Sequence, residues 1–99
     1  MAKKLPPLHP GEVLREEFLV PLGLSPGALA KAMGVPRTRV ERIAAEATGI
    51  TADTALRLGT HFGVSPETWV NLQAEYDLRV ARRISGEEIG RTVRRRNAA

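Results

Sequence analysis

Ninety-nine residues leave room for one small domain, and a 42% apolar share is enough to give it a core. There is no cysteine, which excludes disulfides, Cys-ligated zinc and thiol chemistry, and only four aromatic residues leave the core to Leu, Val, Ile, Ala and Met. The formal charge of +4 is unevenly spread: residues 1–78 carry eight basic against nine acidic side chains, and residues 79–99 carry seven arginines against Glu87 and Glu88, so the basic total says nothing about what the body binds.

The opening MAKKLPPL, residues 1–8, reads as an extended arm with a Pro pair. From Pro10, HPGEVLREEFLVPLG predicts a first helix with Val13, Leu14 and Phe18 inward, Glu12, Glu16 and Glu17 outward, and Pro21 and Gly23 as its stop. Ser25 is an N-cap and Pro26 a first helical residue, opening a second helix with Leu29, Ala30 and Met33 buried and Gly34 at its left-handed end. A third helix is expected from about Pro36 to Ala45, with Val40 and Ile43 inward and Arg37, Thr38, Glu41 and Arg42 outward.

A fourth starts at the cap Thr51 and ends at Gly63, turning Ala55, Leu56, Gly59 and Phe62 inward. Ser65-Pro66-Glu67 opens a fifth and longest helix, expected to reach about Arg82. That helix carries two apolar stripes, Trp69, Leu72, Tyr76 and Val80 on one and Val70, Ala74 and Ala81 on the other. A helix apolar on two sides is buried on two sides. Trp69, Leu72 and Tyr76 are therefore candidates for a dimer seam, with burial in the chain's own core as their rival role. Beyond Arg82, Gly86 and Gly90 break the helical pattern, and residues 83–99 read as a basic tail, disordered unless it folds on a partner or adds non-specific DNA affinity through Arg94, Arg95 and Arg96. Residues 9–82 form the domain.

The second and third helices carry the functional signal. Ala30 lies four residues before Gly34, where a small side chain lets two helices cross closely, and Leu29, Met33, Val35, Val40 and Ile43 fill the surrounding apolar positions. The short Gly34-Val35-Pro36 connection forces a steep crossing. This is the helix-turn-helix pattern, whose second helix presents its N-terminal half to the major groove. Arg37, Thr38, Glu41 and Arg42 occupy the leading face: arginine forks take guanine O6 and N7, and threonine reaches a base edge or a thymine methyl. Arg39, turned aside, suits a phosphate. The competing reading is ordinary surface ion pairing, Arg37 with Glu41 and Arg42 with Glu46, each four apart. The helix starts at Ser25 and Thr51 add backbone amides suited to phosphate oxygens, beside their plain role in helix initiation.

Three stretches together, HPGEVLREEF, PLGLSPGALAKAMGVPRTRVERI and GITADTALRLGTHFGVSPETWVNLQAEYDLRVA, resemble the HigA antitoxins of the Xre/Cro-like helix-turn-helix group over roughly His9 to Ala81. The HPGE start and the W-x-N-L-Q-x-x-Y-D-L string are more specific than the helix-turn-helix alone. The resemblance implies an all-α, five-helix, lambda-repressor-like domain that dimerises, represses its own operon at a palindromic operator, and holds a HigB-type ribonuclease toxin. One departure stands out: where many relatives have a polar, basic turn, often Asn-Gly followed by Lys or Arg, this chain has Ala45-Glu46-Ala47-Thr48, which should lower DNA affinity and flatten its salt dependence. The alternatives are a protein-binding antitoxin with vestigial DNA contact, or a stand-alone repressor without a toxin.

Enzyme function is not expected. His9 and His61 lie far apart with no third ligand, so no metal site is expected; His9 suits the start of the first helix and His61 a wet helix face. No phosphate loop or Ser/His/Asp set stands out, and neither a cofactor nor a small-molecule ligand is expected. No apolar run approaches a bilayer span and no signal-peptide pattern opens the chain, so a cytoplasmic protein with no membrane partner is the expectation.

Overall fold

Four helix starts carry a side-chain cap, each at the residue marked by its sequence. The computed structural model describes residues 6–96, so most of the expected N-terminal arm and the last three residues of the tail lie outside the described residues. His9 Nδ1 accepts from the Gly11 amide at 2.8 Å, Ser25 Oγ from Ala28 at 3.1 Å, Thr51 Oγ1 from Thr54 at 3.2 Å and Ser65 Oγ from Glu67 at 3.3 Å. The helices are α1 (Pro10–Val13), which runs through a π-helical stretch (Leu14–Leu19) into α2 (Val20–Leu22), then α3 (Pro26–Met33), α4 (Arg37–Ala44), α5 (Ala52–Phe62) and α6 (Pro66–Thr92). Counting the first three segments as one continuous helix gives the expected five, and no strand occurs among the described residues.

The first helix differs from expectation in its winding. A π turn brings residues five apart onto one face, and Leu14 and Leu19 are both buried there. Pro21 does not end the helix. The wider turn comes just before it, where a proline ring in a regular α-helix would press on the carbonyl four residues back. The end comes at Gly23, left-handed at φ 60°, with Leu24 N–H closing on Leu19 O at 2.9 Å.

Leu14, Leu29, Val40, Ile43, Leu58 and Trp69 are all but fully buried, so every helix sends at least one side chain into a common core. On α5 the expected inward set is corrected at one position: Leu56 is exposed and Leu58 takes the core site, because Thr54, Ala55, Leu58 and Gly59 share the face turned to the body. Trp69 is a second correction. It is 1% exposed within the single chain, against the Phe18 ring at 5.4 Å, so its side chain belongs to its own core and not to a seam. Leu72 packs partly buried on that core, and Tyr76 is half-buried with its ring 4.7 Å from that of His9.

The third correction concerns the tail. Helix α6 does not stop near Arg82 but continues through Gly86 and Gly90 to Thr92. Each glycine costs a helix interior about 1 kcal/mol relative to alanine, but extending a helix already nucleated needs no new nucleus, and the Arg and Glu around them favour continuation. Trp69 is the one buried residue of this helix, and its distal part extends past the body. No helix among the described residues is long and apolar enough to cross a membrane.

Candidate nucleic-acid interface

The α3–α4 pair is built by a left-handed glycine and a small residue. Gly34 has φ 70°, and the Val35 amide returns to Ala30 O at 3.0 Å, reversing the chain in three residues. Ala30 is buried at the crossing, and Val40 and Ile43 hold α4 down on α3. From the other side Gly11 touches α4: a Cβ there would lie 1.8 Å from the Ile43 carbonyl oxygen, so only glycine admits this approach of the first helix. These contacts fix the tilt at which α4 stands out from the body.

On the exposed face of α4 lie Arg37, Thr38, Glu41 and Arg42, as the spacing predicted. The expected surface pairs divide. Arg37 Nε lies 3.4 Å from Glu41 Oε2, with the arginine side chain 70% exposed, a geometry that in water holds a guanidinium loosely. The Arg42–Glu46 pair does not form, because Glu46 instead meets Arg15 Nη2 at 3.2 Å. Among the described residues no hydrogen bond or ion pair holds the Arg42 guanidinium.

Arg39 lies to the side, as expected, and is bound within the chain. Its Nη1 reaches Asp53 Oδ2 at 2.8 Å, and the same oxygen accepts from Arg57 Nε at 2.9 Å. Arg57 in turn donates to the Met33 carbonyl at 2.8 Å, at the end of α3. The two guanidinium groups, Arg57 foremost, hold the Asp53 carboxyl below the ordinary carboxylate range. Arg39, Arg42, Thr38, Thr48, Thr51 and Arg57 border an open groove of about 500 Å³ between α4 and the start of α5.

The hydroxyls of Ser25 and Thr51 are both spent on capping, and both residues are exposed. Four side chains that position the elements around α4 escaped the sequence reading. Arg15 donates to the Ala44 carbonyl and to Glu46, clamping the end of α4 to the first helix, and Gln73 accepts from the Ile50 amide at 2.7 Å, tying the α4–α5 loop to α6. These contacts join residues 23 to 31 apart and leave no local signal. The Asp53–Arg57 half of the third contact was open to view at i,i+4 spacing. Glu46 itself sits left-handed at φ 61°, where Ala47 N–H closes on Arg42 O at 2.8 Å; a glutamate occupies the position that Gly23, Gly34 and Gly63 fill at the ends of the first helix, α3 and α5.

Residues 14–69 match the helix-turn-helix family, spanning the pair just described and the helices on either side. Virulence-associated protein I of Dichelobacter nodosus is 54% identical over 78 residues, covering 79% of this chain and 72% of that protein. The solved Pseudomonas aeruginosa antitoxin HigA with the higBA promoter superposes with a TM-score of 0.87 at 45% identity, over 89% of this chain and 96% of that one. The chain belongs to the HigA family of helix-turn-helix antitoxins. Another solved structure, antitoxin GraA in complex with its operator, covers 99% of both chains at a TM-score of 0.91 and 45% identity. Against that near-complete overlap, the extension of α6 past Arg82 is a part of the HigA-type fold in this chain and not an appendage to it.

Proposed function

We propose that this HigA-family protein is a dimeric antitoxin that represses its own operon by sequence-specific DNA binding and neutralises a HigB-type ribonuclease toxin. The observation that carries the DNA reading is the leading face of α4: Arg42 unheld and Arg37 loosely held beside Thr38, on a helix whose tilt is fixed from both flanks. Arg37, Thr38 and Arg42 read base edges, Glu41 accepts from a cytosine amino group, and Arg39 with the amides at Ser25 and Thr51 meets phosphates. A two-fold dimer sets one α4 in each of two successive major grooves, about 34 Å apart, on a palindromic site. The relatives solved with their operator or promoter DNA support the repressor role, and the toxin role rests on family membership alone.

A second reading, a toxin-sequestering protein with weak DNA contact, is favoured by the Arg39–Asp53 clasp and by Glu46 beside the end of α4. A gel shift with the DNA upstream of the chain's own gene, with and without the neighbouring gene's product, separates them. A shift by the antitoxin alone supports repression. No shift under either condition leaves sequestration, and a shift untouched by a neighbour that does not bind leaves a stand-alone repressor.

A further inference from the structure

The loop between α4 and α5 leans on a side chain of the last helix. Gln73, half-buried on α6, accepts from the Ile50 N–H at 2.7 Å through Oε1 and donates from Nε2 to Asp77 Oδ1 at 3.0 Å. The Asp77 carboxylate can only accept, so it takes the NH2 and leaves the amide oxygen turned to the loop. Gly49 lies against the same amide: a Cβ there would stand 2.8 Å from Oε1 and 2.9 Å from Cδ and Nε2. Ile50 is buried in the core, whereas Glu46, Ala47, Thr48 and Thr51 around it are exposed.

That contact backs directly onto the groove. Thr48, Gly49 and Thr51 border the groove together with Arg39 and Arg42, so Gly49 meets Gln73 on one side and the groove on the other. The Ile50 hydrogen bond comes one residue before the Thr51 cap and sets where α5 starts relative to α4. We infer that Gln73 is a positioning residue for operator binding: from α6 it holds residues 49–51, so that a phosphate met at Thr51 and the bases read from α4 belong to one rigid frame. The side chain itself touches no DNA. Phosphate contacts fix register and orientation without reading sequence, so the effect of Gln73 falls on affinity and not on base preference. Without its amide oxygen the Ile50 N–H loses its partner, and a peptide that must find water instead draws the loop away from α6.

The inference rests on the operator reading above, and binding is measured with the full chain on its upstream DNA and on an unrelated duplex. Gln73→Leu keeps the bulk and removes the acceptor. It should weaken binding to both duplexes about tenfold, the worth of one hydrogen bond to a charged group, with their ratio unchanged. The exchange of Gln73→Glu with Asp77→Asn keeps the net charge, the acceptor for Ile50 and a donor one turn on, and should restore wild-type affinity. Gly49→Ala, which drives a methyl into the Gln73 amide, should reproduce the loss by a second route even if Gln73→Leu does not fold. Neutral methylphosphonates along the operator separate positioning from general loosening: wild type should lose affinity at the phosphate beside Thr51 in each half-site, and Gln73→Leu should lose nothing further there. Three results overturn the inference and leave the operator reading: Gln73→Leu binding as tightly as wild type, Gln73→Leu as sensitive as wild type at every phosphate, or an exchanged pair that melts normally yet binds weakly. A wild-type chain that shifts neither duplex overturns the operator reading and the inference with it.

Discussion

At the level of single residues, the arginine proposed to meet a phosphate is held within the chain. Asp53 occupies Arg39 through a single oxygen that also serves Arg57. A phosphate must therefore displace Asp53 to use Arg39, and the carboxylate adds repulsion near the backbone. Asp53→Asn should tighten binding to operator and unrelated duplex alike, and should steepen the fall of log K with log salt by about one phosphate equivalent. Arg39→Ala in the same background should remove the gain. Weaker binding at unchanged salt slope would mean that Asp53 orients Arg39 for DNA. The clasp also has a pH signature. Because the folded-state pKa is depressed, its contribution is present above the ordinary carboxylate pKa and is lost only as pH falls through the lower folded value. A carbon NMR titration of Asp53 should show its midpoint below that of a free aspartate.

Glu46 makes a second residue-scale case. Its left-handed backbone costs a side-chain-bearing residue roughly 1–2 kcal/mol, and the exposed Arg15 pair returns at most about 1 kcal/mol. Glu46→Gly should therefore raise unfolding free energy by up to about 1 kcal/mol, read from denaturant melts. A clear loss would show the Arg15 clamp to be worth more than the strain.

At the scale of elements, caps and glycines were readable in advance because they act within a few residues: Ser25, Thr51, Ser65, Gly34 and Gly63 mark ends that the structure keeps. What escaped depends on partners distant in sequence or on accumulated small terms. Nothing local marks the π turn at Leu14–Leu19, which answers to a core needing both leucines and to Pro21 behind them. The exchange of Leu56 for Leu58 reflects which neighbour α5 meets. At Gly86 and Gly90 the propensity penalty was real, but too small to stop a helix already running from Pro66. Gly90→Ala should accordingly raise helicity in far-UV circular dichroism and add up to about 1 kcal/mol of stability. No gain in helicity would mean that the segment is not helical in solution. At the α1–α4 crossing the sign reverses: Gly11→Ala, driven into the Ile43 carbonyl, should cost about 1–3 kcal/mol and weaken DNA binding with it, as α4 loses its tilt.

At the scale of the whole molecule, the body is close to neutral and presents its cations sparsely, so specificity has to come from where few groups stand and not from charge in bulk. In the proposed dimer, two α4 helices related by a two-fold would each offer Arg37, Thr38 and Arg42, an arrangement sufficient for a site of two half-turns. The family was legible from HPGE and from the Trp69–Leu78 string. The clasp on Arg39 and the clamp of Arg15 became visible only once the helices were assembled.

The most direct measurement is a base-by-base substitution scan of the upstream operator, at fixed salt, with wild type and with Arg42→Ala. The account predicts that the variant loses discrimination at one base pair in each half-site, a difference of about 1–3 kcal/mol there, with the other positions unchanged. A uniform loss across all sequences would contradict it, making Arg42 a phosphate contact and leaving α4 without its reading side chain.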